Sequence, residues 1–213
     1  MLLEKLFVKV PSSVIRNEKF YISNQEFSLY ANLCYKHFRN GNKDEIVLDH
    51  KKLMNELKIN DTRTLKKRFN TLHKHGLIDN RIDKLPTKGY LSIFLNSKAK
   101  SEGSFCKMNP SIFTYFKNDQ IDENGIRLAF YYKSHINLND KRKIDYCYVS
   151  FEVLKNRLKM GNTTIIEANK SLKKAKLLKI VKHRLEDRGS YDENDALIFD
   201  KWNNHYHILS PLY

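Results

Sequence analysis

The chain has 213 residues, of which 41% are hydrophobic and 12% aromatic, which is enough to bury a core and excludes a wholly disordered chain. With 7 Gly and 4 Pro it is also too poor in both for a collagen-like or Gly-rich design. Lysine and arginine number 39 against 24 acidic residues, a formal charge of +15, and a globular chain this basic points first to nucleic acid and second to an anionic membrane.

The membrane option is weak. No stretch approaches the ~20 apolar residues of a spanning helix. Glu4-Lys5 breaks the opening apolar run where a signal peptide needs an unbroken core. A cytoplasmic protein with no membrane partner is expected. Cys34, Cys106 and Cys147 are odd in number, far apart and without a CxxC spacing, so they read as reduced, buried thiols.

In chain order, Phe7-Val8-Lys9-Val10 alternates like a strand, and the short apolar segment Val14-Ile15 follows. Ser23 reads as the cap of a helix running through Tyr30, Leu33, Tyr35 and Phe38. Leu53 and Leu57, at i and i+4, mark a short amphipathic helix. After the turn Asn60-Asp61, a longer helix runs from Thr62 towards Gly76, which sits where a C′ glycine ends a helix. A hairpin closes the unit, with strands near Asp79–Lys84 and Tyr90–Asn96 around Pro86-Thr87-Lys88-Gly89. The small, polar stretch from Ser97 to Ser104 reads as a linker.

The same order then returns. Phe105-Cys106-Lys107-Met108 matches the first strand and Ile112-Phe113 the short apolar segment. Asp122 takes the place of Ser23, before a helix with Phe130, Tyr131 and Tyr132. Leu154 and Leu158 match Leu53 and Leu57, the turn is Gly161-Asn162, and the longer helix runs from Thr163 to Lys176. Its hairpin strands are expected near Lys179–Leu185 and Ala196–Lys201, joined by an acidic loop. Helix, short helix, tight turn, longer helix and hairpin is the order of a winged helix-turn-helix. Finding it twice in register predicts an α+β protein of two tandem winged helix-turn-helix domains. They span 1–97 and 105–213, joined by 98–104.

On a helical wheel, Leu65, Phe69 and Leu72 share one face of the first long helix, and Arg63, Lys67, Asn70 and Lys74 the other. Arg can pair bidentately with guanine and Asn with adenine, whereas lysines suit phosphate oxygens. Thr62 and Thr64, in the first turn, suit phosphates or thymine methyls, and Lys66 adds charge beside them. The second long helix buries Ile165, Ala168 and Leu172 and presents Thr163, Glu167, Lys170 and Lys174, with Asn162, Thr164 and Ser171 alongside. Glu167 is the odd member: it is repelled by phosphate, yet can accept from cytosine N4. So the second helix either reads a base through Glu167 or has partly left the groove. Arg81, Lys84 and Lys88 flank the first hairpin, and Lys182 and Arg184 the second. The bland reading of both stripes is a solvated polar face.

Catalytic patterns are scarce. His205-Tyr206-His207 on a strand would place two imidazoles on one face, as in metal-dependent nicking enzymes, but no third ligand is evident, and a surface or packed pair is the simpler reading. His73 and His75 diverge on a helix. The acidic loop after Glu186 lacks EF-hand spacing. There is no phosphate-binding GxxxxGK[ST], GxSxG or HExxH pattern. No cofactor, metal or small-molecule ligand is expected.

Phe7-Val8-Lys9-Val10-Pro11 with Val14-Ile15, then Ile22-Ser23-x-x-Glu26-Phe27-x-Leu29-Tyr30, resembles the start of RepA-N-type plasmid initiators and related phage replisome organisers of Gram-positive bacteria. Leu53-x3-Leu57-x-Ile59, Thr64-Leu65-x6-Leu72 and Gly76-Leu77-Ile78 continue the resemblance, which spans about residues 7–95. It implies a winged helix that binds repeated origin sites, often as a dimer, and recruits host replication proteins. The second copy departs from that family, standing where its members carry a different, host-specific domain. Tandem winged helices occur in another class of plasmid initiators, in which one domain dimerises and both bind DNA.

The expectation is a non-catalytic, sequence-specific binder of double-stranded DNA that initiates plasmid or phage replication. The two sites should lie ~10–10.5 bp apart on one face of the duplex. A repressor of a mobile element is the main alternative, dimerising through exposed apolar positions on the first helices. A metal-dependent nicking initiator and a partition scaffold rank lower.

Overall fold

The computed structural model describes residues 6–43, 45–96, 103–136, 144–183 and 203–213. Over these the chain is mixed α+β, with small antiparallel sheets among the helices. The first repeat comprises β1 (Val8–Pro11), α1 (Ser12–Ile15), α2 (Asn24–Arg39), β2 (Glu45–Leu48), α3 (His50–Glu56), α4 (Thr62–Lys74) and β3 (Leu91–Phe94). The second comprises β4 (Phe105–Met108), α5 (Ser111–Lys117), α6 (Glu123–Ser134), β5 (Cys147–Tyr148), α7 (Phe151–Leu158), α8 (Asn162–Lys174), β6 (Leu178–His183) and β7 (Asn203–Ile208). The element order therefore repeats, as the sequence predicts.

The helix starts follow from local chemistry. Ser23 and Glu26 form a reciprocal capping box: Ser23 Oγ accepts from the Glu26 N–H (3.3 Å), and Glu26 Oε2 accepts from the Ser23 N–H (2.7 Å). Asp122 Oδ1 accepts from the Gly125 N–H at 2.8 Å, and Asp61 Oδ1 from the Thr64 N–H at 2.8 Å. Asp49 and Ser150 cap α3 and α7 in the same way. Just after each short helix a lysine lies in the left-handed region, Lys58 (φ 53°) and Lys159 (φ 54°), so the duplication extends to backbone conformation. Gly76 (φ 65°) ends α4, as predicted.

Both hairpin expectations need correction. In the first repeat β3 pairs with β2, and Ile78 bridges Leu95, but Asp79–Lys84 does not continue as a strand. Instead the Asn80 side chain occupies the next rung: its Nδ2 donates to the Ser92 carbonyl (2.9 Å), and its Oδ1 accepts from the Phe94 N–H (2.8 Å). In the second repeat the strand that returns to β6 is Asn203–Ile208. The expected Ala196–Lys201 lies outside the described residues, as do the acidic loop and most of the linker. The second sheet has the order β5-β7-β6, and the first follows the same plan with residues 77–79 in the place of β6.

The repeats share one continuous core. β1 and β4 pair antiparallel, with Lys9 directly opposite Lys107, its counterpart in the other repeat. Beneath that ribbon α2 packs on α6, where Phe27 meets Phe130 edge-on at 5.3 Å and Asn24 Nδ2 donates to Asn124 Oδ1 at 2.7 Å. Most apolar positions of the first helices are therefore buried within the chain, with Tyr35 and Phe38 half-buried. Cys34, Cys106 and Cys147 are buried free thiols, and burial pushes Cys106 and Cys147 up to about 12.

Candidate nucleic-acid interface

α4 stands on α2 through Leu65, Phe69 and Leu72, all fully buried. The opposite face leaves Thr62, Arg63, Lys67 and Lys74 exposed. Asn70 is half-buried, and its Oδ1 has no hydrogen-bond partner among the described residues, so it is a weaker member of the stripe than the wheel suggested. Thr64 is also half-buried. The Asp61 cap, held below the usual carboxylate range by its hydrogen bond to Thr64, sits at the head of the helix.

Beside this face lies a groove of about 390 Å³ between α4, the start of α3 and the segment before β3. Lys51, Arg63, Lys66 and Lys84 line it with Thr62 and Thr87. Lys66 Nζ donates to the Asp83 carbonyl at 3.1 Å, which ties α4 to that segment. Arg81 Nε pairs with Asp83 Oδ1 at 2.8 Å, and Arg81, Lys84 and Lys88 are all exposed. Lys51 and Thr87 escaped the sequence reading, because only folding brings the start of α3 to this groove.

In the second repeat α8 packs on α6, with Ile165, Ala168 and Leu172 buried as expected. Asn169 is buried too: its Oδ1 accepts from the Tyr132 hydroxyl at 3.0 Å, and Tyr132 stacks on Tyr206 at 4.2 Å. Asn162, Thr163, Glu167, Lys170 and Lys174 are exposed, and Thr164 and Ser171 half-buried. The Ser171 hydroxyl is engaged by the Ala168 carbonyl at 2.8 Å. Ile166 adds an exposed apolar side chain that the wheel did not single out. Lys182 is exposed on β6, and Arg184 lies outside the described residues.

The two faces are not equivalent. One flank of α8, carrying Thr164, Glu167 and Ser171, borders a groove of about 350 Å³ lined by Asp119, Asp122 and Glu123, with Lys58 the one cation among the described residues that line it. That flank repels phosphate. The cationic side of α8 is the stripe of Lys170 and Lys174.

His205 and His207 lie on β7. His205 stacks on Tyr146 at 3.9 Å, and His207 Nδ1 lies 3.6 Å from Asp145 Oδ1. Among the described residues, no group of three His, Cys, Asp or Glu side chains is placed to hold a metal ion. Among the same residues, no helix is long and apolar enough to cross a membrane. Comparison with known proteins finds no matching family model, curated protein or solved structure.

Proposed function

We propose that the chain is a non-catalytic, sequence-specific binder of double-stranded DNA, built from two winged helix-turn-helix units. The observation that carries this reading is the division of α4. Three fully buried side chains fix it to the core, and Arg63, Lys67 and Lys74 stand exposed on its other face, beside the groove of Lys51, Lys66 and Lys84. An α-helix fits the major groove, arginine reads guanine edges, and the flanking lysines meet phosphates on either side. The formal charge of +15 supplies the long-range attraction.

The role we favour is replication initiation on a plasmid or phage, by the resemblance of residues 7–95 to Gram-positive initiators. Duplex DNA and host replication proteins are then the partners, and the cytoplasm the location. A repressor of a mobile element is the second reading. The α2–α6 seam favours it, because it joins the two repeats within one chain as a repressor dimer joins two copies. Iterated copies of the bound site beside the gene favour initiation, and a single palindrome favours repression.

The test is anisotropy on duplex fragments of the source replicon from 50 to 300 mM salt. Contact with ~6–10 phosphates gives a slope of log K against log salt of about −5 to −9. Failure to bind any duplex at low salt would refute the proposal. Divalent-metal-dependent nicking abolished by His205→Ala would replace it with the nicking alternative.

A further inference from the structure

The contacts between the repeats are reciprocal. The ribbon puts Lys9 opposite Lys107, and Val8 and Val10 opposite Met108 and Cys106, so each strand meets its own counterpart in reverse. Arg16, just after α1, donates from Nε to the hydroxyl of Ser134 at the end of α6 (3.1 Å). The corresponding elements of the other repeat also meet: Phe113 of α5 lies against Tyr35 near the end of α2, ring centroids 6.0 Å apart. A third exchange reaches the helix-turn-helix units. Asn17, after α1, donates to the Arg157 carbonyl near the end of α7 (2.9 Å). Asp119, after α5, pairs with Lys58 in the turn before α4. The ribbon exchanges residue for residue and the other contacts exchange element for element, α1 against α6 and α7 as α5 against α2 and the α3–α4 turn, which is the logic of a two-fold axis.

We infer that the chain is a covalent pseudo-dimer that recognises, as a single polypeptide, one inverted pair of unlike DNA half-sites. This rests on the DNA-binding reading above and specifies its substrate. The operation that exchanges α2 with α6 also exchanges α4 with α8, because each long helix packs on its own partner through the same positions: Leu65 and Leu72 in one, Ile165 and Leu172 in the other. A two-fold operation that presents one helix to the duplex presents the second with opposite polarity, so the half-sites are inverted rather than repeated head to tail. Each helix-turn-helix also touches the other repeat, at Lys58 or at the Arg157 carbonyl, and both stand on the one core that the repeats share. The half-sites are unlike because the faces differ: Arg63, Lys67 and Lys74 on α4 against Thr163, Ile166, Lys170 and Lys174 on α8. The strand edges and helix faces that two copies would need for the same dimer are already occupied within the chain.

The full chain is incubated with a random duplex library and the bound fragments are sequenced. The selected duplex is then compared with one in which a single half-site is reversed in place, and with one carrying five extra base pairs at the centre. Native mass spectrometry counts chains per duplex. The expected result is two unlike motifs in inverted order, one chain per duplex, and a loss of ~100-fold or more for both altered duplexes. Arg63→Ala should relax preference in one half only. Motifs in direct order, or two chains on a minimal site, would overturn the pseudo-dimer and leave DNA binding standing. Enrichment of no sequence would overturn both.

Discussion

Arg127 lies with its guanidinium 4.2 Å from the ring centroid of Phe27, across the seam between the repeats. It is fully buried and donates from Nη2 to the Val14 carbonyl (3.1 Å) and to Asn17 Oδ1 (2.7 Å). Its Nε and Nη1 have no hydrogen-bond partner among the described residues, and burial pushes its pKa down to about 9. The cation is thus held by shape and a ring face more than by opposite charge. Exchanging a buried ion for an apolar group of similar length is often neutral or stabilising. Arg127→Met is expected to leave the folding free energy within ~1.5 kcal/mol of the parent or to raise it. Arg127→Ala should cost ~2–5 kcal/mol by leaving a cavity. Urea unfolding of both variants checks this; equal losses would mean that the two hydrogen bonds, rather than the packing, hold the seam.

Arg63 and Lys74 separate reading from holding. Both are exposed on α4. Arg63→Ala is expected to cost ~1–3 kcal/mol on the selected site and to relax preference at one base. Lys74→Ala should weaken selected and random duplexes alike and flatten the salt dependence by about one unit of slope. Competition binding with both duplexes measures it. An equal loss on both for Arg63→Ala would remove that residue from base reading.

Asn80 substitutes for a strand. Asn80→Ala leaves the Phe94 N–H and the Ser92 carbonyl without the partners they have now. Water can reach this edge of the sheet, so the expected cost is ~1 kcal/mol. Hydrogen exchange should show faster loss of protection at Phe94, with α2 and α6 unchanged. A change spread over the whole chain would contradict the local role.

His135 gives the fold a pH dependence of known sign. Partial burial, with the charges of Arg16 and Arg157 nearby, pushes its pKa down to about 4 from an ordinary 6.5. Between those values the unfolded chain binds a proton that the folded chain does not. Stability therefore falls as pH drops from 6.5 to 4, and this residue contributes no further loss below 4. The side chain remains partly open to water, so the effect is modest. Denaturant midpoints at pH 7, 5.5 and 4 should converge less steeply for His135→Gln than for the parent. Identical slopes would exclude His135 as the source.

The amino-acid sequence by itself determined what depends on neighbouring residues. Ser23, Asp122 and Gly76 act within a helical turn, so their caps and stop were legible. The 3.6-residue spacing of Leu65, Phe69 and Leu72 announced which face of α4 is buried. The duplication was legible for the same reason, since each unit carries its own local signals. Where a side chain replaced backbone, as at Asn80, propensity misled. The second returning strand was misplaced because several stretches after Arg184 alternate suitably, and only pairing with β6 selects Asn203–Ile208. Asn169 could not be told from a surface residue until Tyr132 supplied its partner. The reciprocal seam was decided by tertiary structure alone. Lys9 meets Lys107, and Arg16 meets Ser134, through contacts between residues remote in the chain. Such contacts form only where two apolar helix faces gain more from covering each other than from facing water, and no local spacing encodes that choice.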